Sequence, residues 1–141
     1  LSDRLLINNQ PVKDKALIMS VFNKFEKSVR NKLIINSKDS FKISIAPQVG
    51  GIEASNYTEK LQISMANYGI ADKRKKLDAF KVELPKLLNK LYVDCLSNKS
   101  KSSDFNGSDI WKYFNDNLPN DLVENSSNNL FICYINISQS G

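Results

Sequence analysis

The 141 residues are long enough for one domain with a buried core, and 41% hydrophobic and 25% charged residues are ordinary proportions for a globular protein. Because the chain has no histidine and only two cysteines, zinc sites and histidine-based catalysis are excluded. The net charge of +5 permits attraction to nucleic acid or to another anionic surface. Cys95 and Cys133 both lie in apolar surroundings, which favours two buried thiols over a disulfide or a redox role.

No apolar run in the sequence approaches the roughly 18–20 residues that span a bilayer. Residues 1–4 also lack the apolar segment of a signal peptide. We therefore expect a soluble protein that does not associate with a membrane and lies in the cytoplasm. The first residue is leucine rather than methionine, so a processed fragment of a longer protein is an alternative.

Apolar residues at spacings of three and four predict an amphipathic helix from Val12 to about Arg30. Pro11 fits the first turn of this helix, where its missing N–H has no helical partner to lose. The apolar stripe consists of Val12, Leu17, Ile18, Val21, Phe22, Phe25 and Val29. The residues assigned to the opposite, solvent-facing side are Lys13, Asp14, Lys24 and Lys27.

Two runs of alternating apolar and polar residues follow the first helix. One contains Phe41, Ile43 and Ile45, and the other covers residues 60–65. Each run predicts a strand with one buried face. The two strands are expected to pair as an antiparallel hairpin with a long connection, at the edge of an otherwise parallel sheet.

Residues 71–97 carry a continuous apolar stripe and predict a long helix. Pro85 lies inside it, so either the helix kinks at Pro85 or a second helix begins there. A basic run near the start is either the solvated flank of the helix or an anion-binding segment; its residues are Lys73, Arg74, Lys75 and Lys76. No lysine-rich face with interleaved aromatic residues accompanies this run, which makes specific nucleic-acid binding the less favoured interpretation.

The stretch at residues 106–114 predicts a loop that leads into a helix. Ser108 suits the N-cap position, Asp109 suits the first turn, and Pro119 is expected to end the helix. Residues 130–135 are almost entirely apolar, which is typical of a central strand that is covered on both faces.

The order helix, strand, strand, long helix, shorter helix, apolar strand resembles that of a von Willebrand factor A-like domain after its first strand. Residues 107–110, Gly-Ser-Asp-Ile, resemble the turn that opens a helix and supplies a hydroxyl to the metal site of that family. Residues 129–132 are similar to the strand that ends in Thr-Asp-Gly, and residues 2–5 to the end of the Asp-x-Ser-x-Ser loop. The resemblance implies one domain over residues 1–141, with a three-layer α/β fold. Its mostly parallel central sheet would have one antiparallel edge hairpin and helices on both faces.

The resemblance also implies a metal site, of which this sequence retains only part. The apolar strand ends in Cys133-Tyr134-Ile135-Asn136, so the aspartate of the family pattern is absent. The residues that carry over are Ser108, Asp109, Ser2 and Asp3. They would be a poor set for Mg²⁺, which prefers octahedral oxygen coordination. Helix capping is the alternative role of Ser108 and Asp109, and the cofactor is either none or magnesium.

Three functions remain open from the sequence. The leading hypothesis is a non-enzymatic protein–protein interaction module of the von Willebrand factor A-like class with a degenerate or absent metal site, whose protein partner and oligomeric state are unspecified. A magnesium-dependent nuclease or other phosphate-acting α/β enzyme is the second, although no glycine-rich phosphate loop is present. The third is a nucleic-acid-binding domain that uses its basic surface, with residues 73–76 as the contact segment.

Overall fold

The computed structural model describes residues 10–32, 39–45, 55–99, 115–116 and 118–120, and the structural statements below concern these parts of the chain. Two long helices and a small antiparallel sheet make up most of them. The elements in chain order are α1 (Gln10–Lys32), β1 (Ser40–Lys42), α2 (Ser55–Thr58), β2 (Gln62–Ser64) and α3 (Ile70–Lys99). The predicted first helix and the predicted long helix are thereby confirmed.

The helices α1 and α3 pack side by side and run in opposite directions. Near the start of α1, the Lys15 ammonium donates a hydrogen bond of 2.6 Å to the side-chain oxygen of Asn89. Near the end of α1, the Arg30 guanidinium lies 2.5 Å from the Asp78 carboxylate. The start of α1 therefore lies beside the later part of α3, and the end of α1 lies beside the early part of α3.

The two strands pair in antiparallel orientation, with Phe41 opposite Ile63. Backbone hydrogen bonds of 2.8 Å extend the pairing at both ends, from Ile43 N to the Leu61 carbonyl and from Met65 N to the Asp39 carbonyl. Alternate residues of the second strand and its flanks, Leu61, Ile63 and Met65, are buried. The predicted antiparallel pairing and its single buried face are confirmed.

The core lies between the two long helices and the buried face of the hairpin. Four phenylalanines from α1, β1 and α3 form a cluster with ring centroids 5.3–6.3 Å apart; they are Phe22, Phe25, Phe41 and Phe80. Tilted and edge-on ring pairs of this kind add about 0.5–1.5 kcal/mol beyond area burial. The buried residues of the core are Phe22, Val29, Tyr57, Leu61, Ile63, Met65, Leu77, Leu84, Leu88, Leu91 and Tyr92.

Pro85, where a kink or the start of a second helix was expected, and Pro119, where a helix end was expected, both lie within helical backbone. The helix α3 continues through Pro85, which removes one backbone donor and leaves the Lys81 carbonyl without its usual i+4 partner. Residues 115–116 and 118–120 are helical too, so helical backbone extends past Pro119, where an end was predicted.

The prediction of a three-layer α/β fold with a mostly parallel sheet was wrong. The described residues are mostly helical, and their sheet consists of two short antiparallel strands. The physical reason is that the apolar stripes of α1 and α3 are buried against each other and against one face of the hairpin, so no wide sheet separates them. The apolar strand predicted at residues 130–135 lies outside the described residues.

The buried face of α1 also differs from the predicted stripe. Val12 and Leu17, which were assigned to the apolar face, are 60% and 45% exposed. Asp14, which was assigned to the solvent face, is only 3% exposed. The Tyr92 hydroxyl donates a hydrogen bond of 3.3 Å to the Asp14 carboxylate, which offsets part of the cost of burying it.

Candidate functional site

The two groups of residues with predicted functions fall on different parts of the chain. The residues that the resemblance nominated as metal ligands lie outside the described residues; they are Ser108, Asp109, Ser2 and Asp3. The predicted anion-binding run lies in the first two turns of α3; it comprises Lys73, Arg74, Lys75 and Lys76.

The structure divides this basic run into three environments. Lys73 is completely buried and engaged within the folded chain, so it adds no charge to the surface. Arg74 and Lys75 are exposed. Lys76 is half-buried, with its ammonium 3.5 Å from the centre of the Tyr68 ring. The expectation of a uniformly solvated run therefore does not hold for Lys73.

A second basic feature is the exposed side of α1. Its lysines were predicted to face solvent, but the absence of carboxylates from this side was not predicted. The helix contains two acidic residues, Asp14 and Glu26, and both are buried, at 3% and 7% exposure. Its exposed lysines are Lys13, Lys24 and Lys27. The solvent-facing side of α1 thus carries positive charge with no carboxylate of its own helix beside it.

The lysines of α1 lie in register with neutral hydrogen-bonding residues. At 3.6 residues per turn, five exposed positions fall within an arc of about 60°; they are Lys13, Ser20, Lys24, Lys27 and Asn31. The stretch from Lys13 to Lys27 covers about 21 Å at a rise of 1.5 Å per residue. No ion pair to these three lysines occurs in the parts of the chain that the structure describes.

Glu26 is buried because α3 supplies it with a cation. Its carboxylate accepts a hydrogen bond of 2.8 Å from Lys81 on α3 and one of 3.0 Å from Arg30 on its own helix. Arg30 in turn bridges to Asp78. Burial alone raises the pKa of the Glu26 carboxyl, but the hydrogen bonds and charges of Lys81 and Arg30 outweigh it and hold the pKa below its usual range. Lys81 and Arg30 thus compensate the negative charge of Glu26 within the helix pair.

The antiparallel packing brings the two basic segments to the same end of the helix pair. The contact between Arg30 and Asp78 marks that end, because it joins the last turns of α1 to the early turns of α3. Arg74 precedes Asp78 by one helical turn on the same side of α3. We call the exposed or half-buried cations of this region that form no ion pair with Glu26 or Asp78 the basic end; they are Lys24, Lys27, Arg74, Lys75 and Lys76.

Few carboxylates oppose the basic end. Glu26 and Asp78 belong to the interhelical network, and both contact Arg30. Asp72 in the first turn of α3 is exposed, as is Asp39 beside the hairpin. With Arg30 and its partners Glu26 and Asp78 set aside, five cations face two exposed carboxylates, and this excess of positive charge attracts anions.

Comparisons with known proteins add no family assignment: the chain matches no protein-family model, no curated protein and no solved structure. Within the described ranges, no helix is both long and apolar enough to cross a membrane. In the same ranges, no three His, Cys, Asp or Glu side chains are grouped so that they could hold a metal ion.

Proposed function

We propose that this protein is a non-enzymatic binding domain that holds the phosphate backbone of nucleic acid on the exposed face of α1 and on the basic end. The observation that carries the proposal is the burial of both acidic residues of α1. Because Asp14 and Glu26 point into the helix pair, the charges on the outward face of the helix are all positive; neutral polar groups and the exposed Val12 and Leu17 accompany them.

The arrangement of the cations favours nucleic acid over an acidic protein surface. The lysines of α1 follow a line of about 21 Å rather than forming one compact patch. Ser20 lies between Lys13 and Lys24, and Asn31 follows Lys27; these residue types donate hydrogen bonds to phosphate oxygens together with Lys and Arg. A regular row of phosphates can meet such a line at several points, and each point contributes a similar electrostatic attraction.

The other two functions considered from the sequence have less support. The interaction module of the von Willebrand factor A-like class drew its support from an α/β element order, and the described residues do not form that sheet. The phosphate-acting enzyme drew its support from the presence of acidic residues. Two of these, Asp14 and Glu26, have hydrogen-bond partners inside the helix pair.

The proposal is tested by comparing two pairs of substitutions that change the charge equally. Lys24→Gln with Lys27→Gln removes two cations of the basic end, whereas Lys60→Gln with Lys90→Gln removes two exposed cations elsewhere. Lys60 lies three residues after Tyr57, whose hydroxyl donates a hydrogen bond to Asp94 near the end of α3. Lys90 follows Asn89, which contacts Lys15 near the start of α1, so both control residues lie away from the basic end. Fluorescence anisotropy with labelled DNA and RNA measures the affinity of each protein.

We expect the substitutions at residues 24 and 27 to weaken binding by about tenfold or more at low salt. Each lost phosphate contact means that one fewer counterion is released on binding, and this release favours binding. The control pair should change the affinity by less than about threefold, the effect of net charge alone. Equal losses from both pairs would mean that net charge rather than this surface binds nucleic acid. Stronger binding to polyglutamate than to nucleic acid would replace the nucleic acid with an acidic protein as the partner.

A further inference from the structure

Beside the basic end lies an exposed aromatic residue in the connection between β2 and α3. Tyr68 is 37% exposed, and the neighbouring Ile70 is exposed to the same extent. Asn67, which precedes Tyr68, has a left-handed backbone conformation with φ 63°, a geometry that asparagine tolerates better than most residues. The turn directs the chain out of the hairpin and presents Tyr68 next to the first turn of α3.

A charged group is already in place against the Tyr68 ring. The Lys76 ammonium lies 3.5 Å from the ring centroid, within the range of cation–π attraction. Lys76 lies two turns into α3 and also belongs to the basic end. The ammonium covers one face of the ring, so a base would stack on the opposite face, with the cation close enough to contact its phosphate.

The residue after Tyr68, Gly69, is exposed and carries no side chain. In the described parts of the chain, a Cβ atom built on Gly69 would meet no atom within 4 Å other than those of its neighbours Tyr68 and Ile70. Gly69 also accepts the first helical hydrogen bond of α3, at 2.9 Å from Lys73 N, so it occupies the N-cap position. A ligand that stacks on Tyr68 therefore meets no side chain at the adjacent position.

We infer that Tyr68 and Lys76 form a nucleotide-stacking site, so that single-stranded nucleic acid is the preferred ligand of this surface; the inference rests on the proposed function. An unpaired base stacks on the Tyr68 ring, and its phosphate contacts Lys76 and Arg74. Bases in a duplex stay stacked on one another, so the ring adds affinity only for a single strand.

The inference is tested first at Tyr68 itself. Tyr68→Leu removes the aromatic surface, and Tyr68→Phe keeps it. Because Tyr68 is partly exposed, both variants should fold, which circular dichroism checks. For a labelled single strand we expect Tyr68→Leu to weaken binding roughly 5- to 100-fold and Tyr68→Phe to stay within about twofold. Affinity for a duplex should change by less than about twofold in both.

A second pair of variants tests the position of the phosphate without disturbing the fold. Asp and Asn are both better N-cap residues than Gly, so Gly69→Asp and Gly69→Asn should leave α3 at least as stable as it is. Only Gly69→Asp adds a negative charge beside Lys76. We expect Gly69→Asp to weaken single-strand binding at least fivefold relative to Gly69→Asn at low salt, and the difference to shrink as salt is added.

The outcomes separate this inference from the proposed function. If substitution of Lys24 and Lys27 weakens binding but Tyr68→Leu does not, the basic surface binds nucleic acid and the stacking site is refuted. If the wild-type protein binds neither single strands nor duplexes at low salt, both are refuted. A base analogue such as 2-aminopurine, whose fluorescence falls when it stacks, gives direct support if its quenching is lost in Tyr68→Leu and kept in Tyr68→Phe.

Discussion

Replacement of Glu26 by glutamine should destabilise the helix pair, because Glu26 is the acceptor that joins Lys81 of α3 to Arg30 of α1. Its side chain is only 9% exposed, whereas those of Arg30 and Lys81 are 33% and 49% exposed. Removing one partner of a fully buried pair costs about 3–5 kcal/mol. Since solvent reaches both cations here, we expect Glu26→Gln to lower the free energy of unfolding by about 1–2 kcal/mol at neutral pH.

The effect should depend on pH in a direction set by the lowered pKa of Glu26. A carboxyl whose pKa is lower in the folded than in the unfolded chain stabilises the fold above its unfolded pKa, and this contribution is lost as the pH falls through the folded pKa. The stability difference between the wild type and Glu26→Gln should therefore be full above about pH 5 and shrink progressively below the ordinary glutamate pKa of about 4.3.

Urea denaturation followed by far-UV circular dichroism, repeated from neutral to acidic pH, measures this difference. Glu83→Gln is the matched control, because Glu83 pairs with Lys86 on the surface of one helix, with side chains 56% and 66% exposed. We expect the control to change the stability by less than about 0.5 kcal/mol at any pH. Equal effects of the two substitutions, or a Glu26→Gln effect that does not decline in acid, would refute the interhelical role of Glu26.

Two further predictions concern the core and the long helix, and chemical denaturation measures both. Phe22→Ala should lower the free energy of unfolding by about 3–5 kcal/mol, since Phe22 is fully buried and contacts three other phenylalanines. The control Val82→Ala, on the exposed side of α3, should change it by less than about 0.5 kcal/mol. A small effect at Phe22 would contradict the position of the core. Pro85→Ala should raise the stability by about 1–3 kcal/mol, because alanine restores a donor for the Lys81 carbonyl; a lower stability would indicate that the proline ring packs favourably in the helix.

The sequence predicted what depends on local periodicity. The spacing of apolar residues located α1 and α3, and the alternation around Phe41 and Ile63 predicted two one-sided strands that pair in antiparallel orientation. The fold class was not predicted, because the order of helices and strands along a chain does not specify which faces meet. One-sided alternation is typical of an antiparallel sheet with one covered face, and the described hairpin is such a sheet.

The sequence did not predict that the exposed side of α1 lacks carboxylates. A simple amphipathic pattern places charged residues in solvent, whereas Asp14 and Glu26 are buried. Asp14 was expected in solvent and Glu26 was assigned to neither face, yet both fall at helical spacing from apolar positions: Asp14 four residues before Ile18, and Glu26 between Phe22 and Val29. This spacing was the available signal. Their burial depends on Tyr92 and Lys81, which lie far along the chain and whose proximity only the tertiary structure reveals.

The salt dependence of nucleic-acid binding by the Lys24→Gln, Lys27→Gln protein tests the central claim most directly. A plot of the logarithm of the binding constant against the logarithm of salt concentration is linear, and its slope counts the phosphates neutralised by the protein. If the basic end holds the backbone, the slope should become shallower by about 1.4 units for a single strand, or about 1.8 for a duplex, relative to the wild type. An unchanged slope would contradict the account, since it would show that Lys24 and Lys27 contact no phosphate.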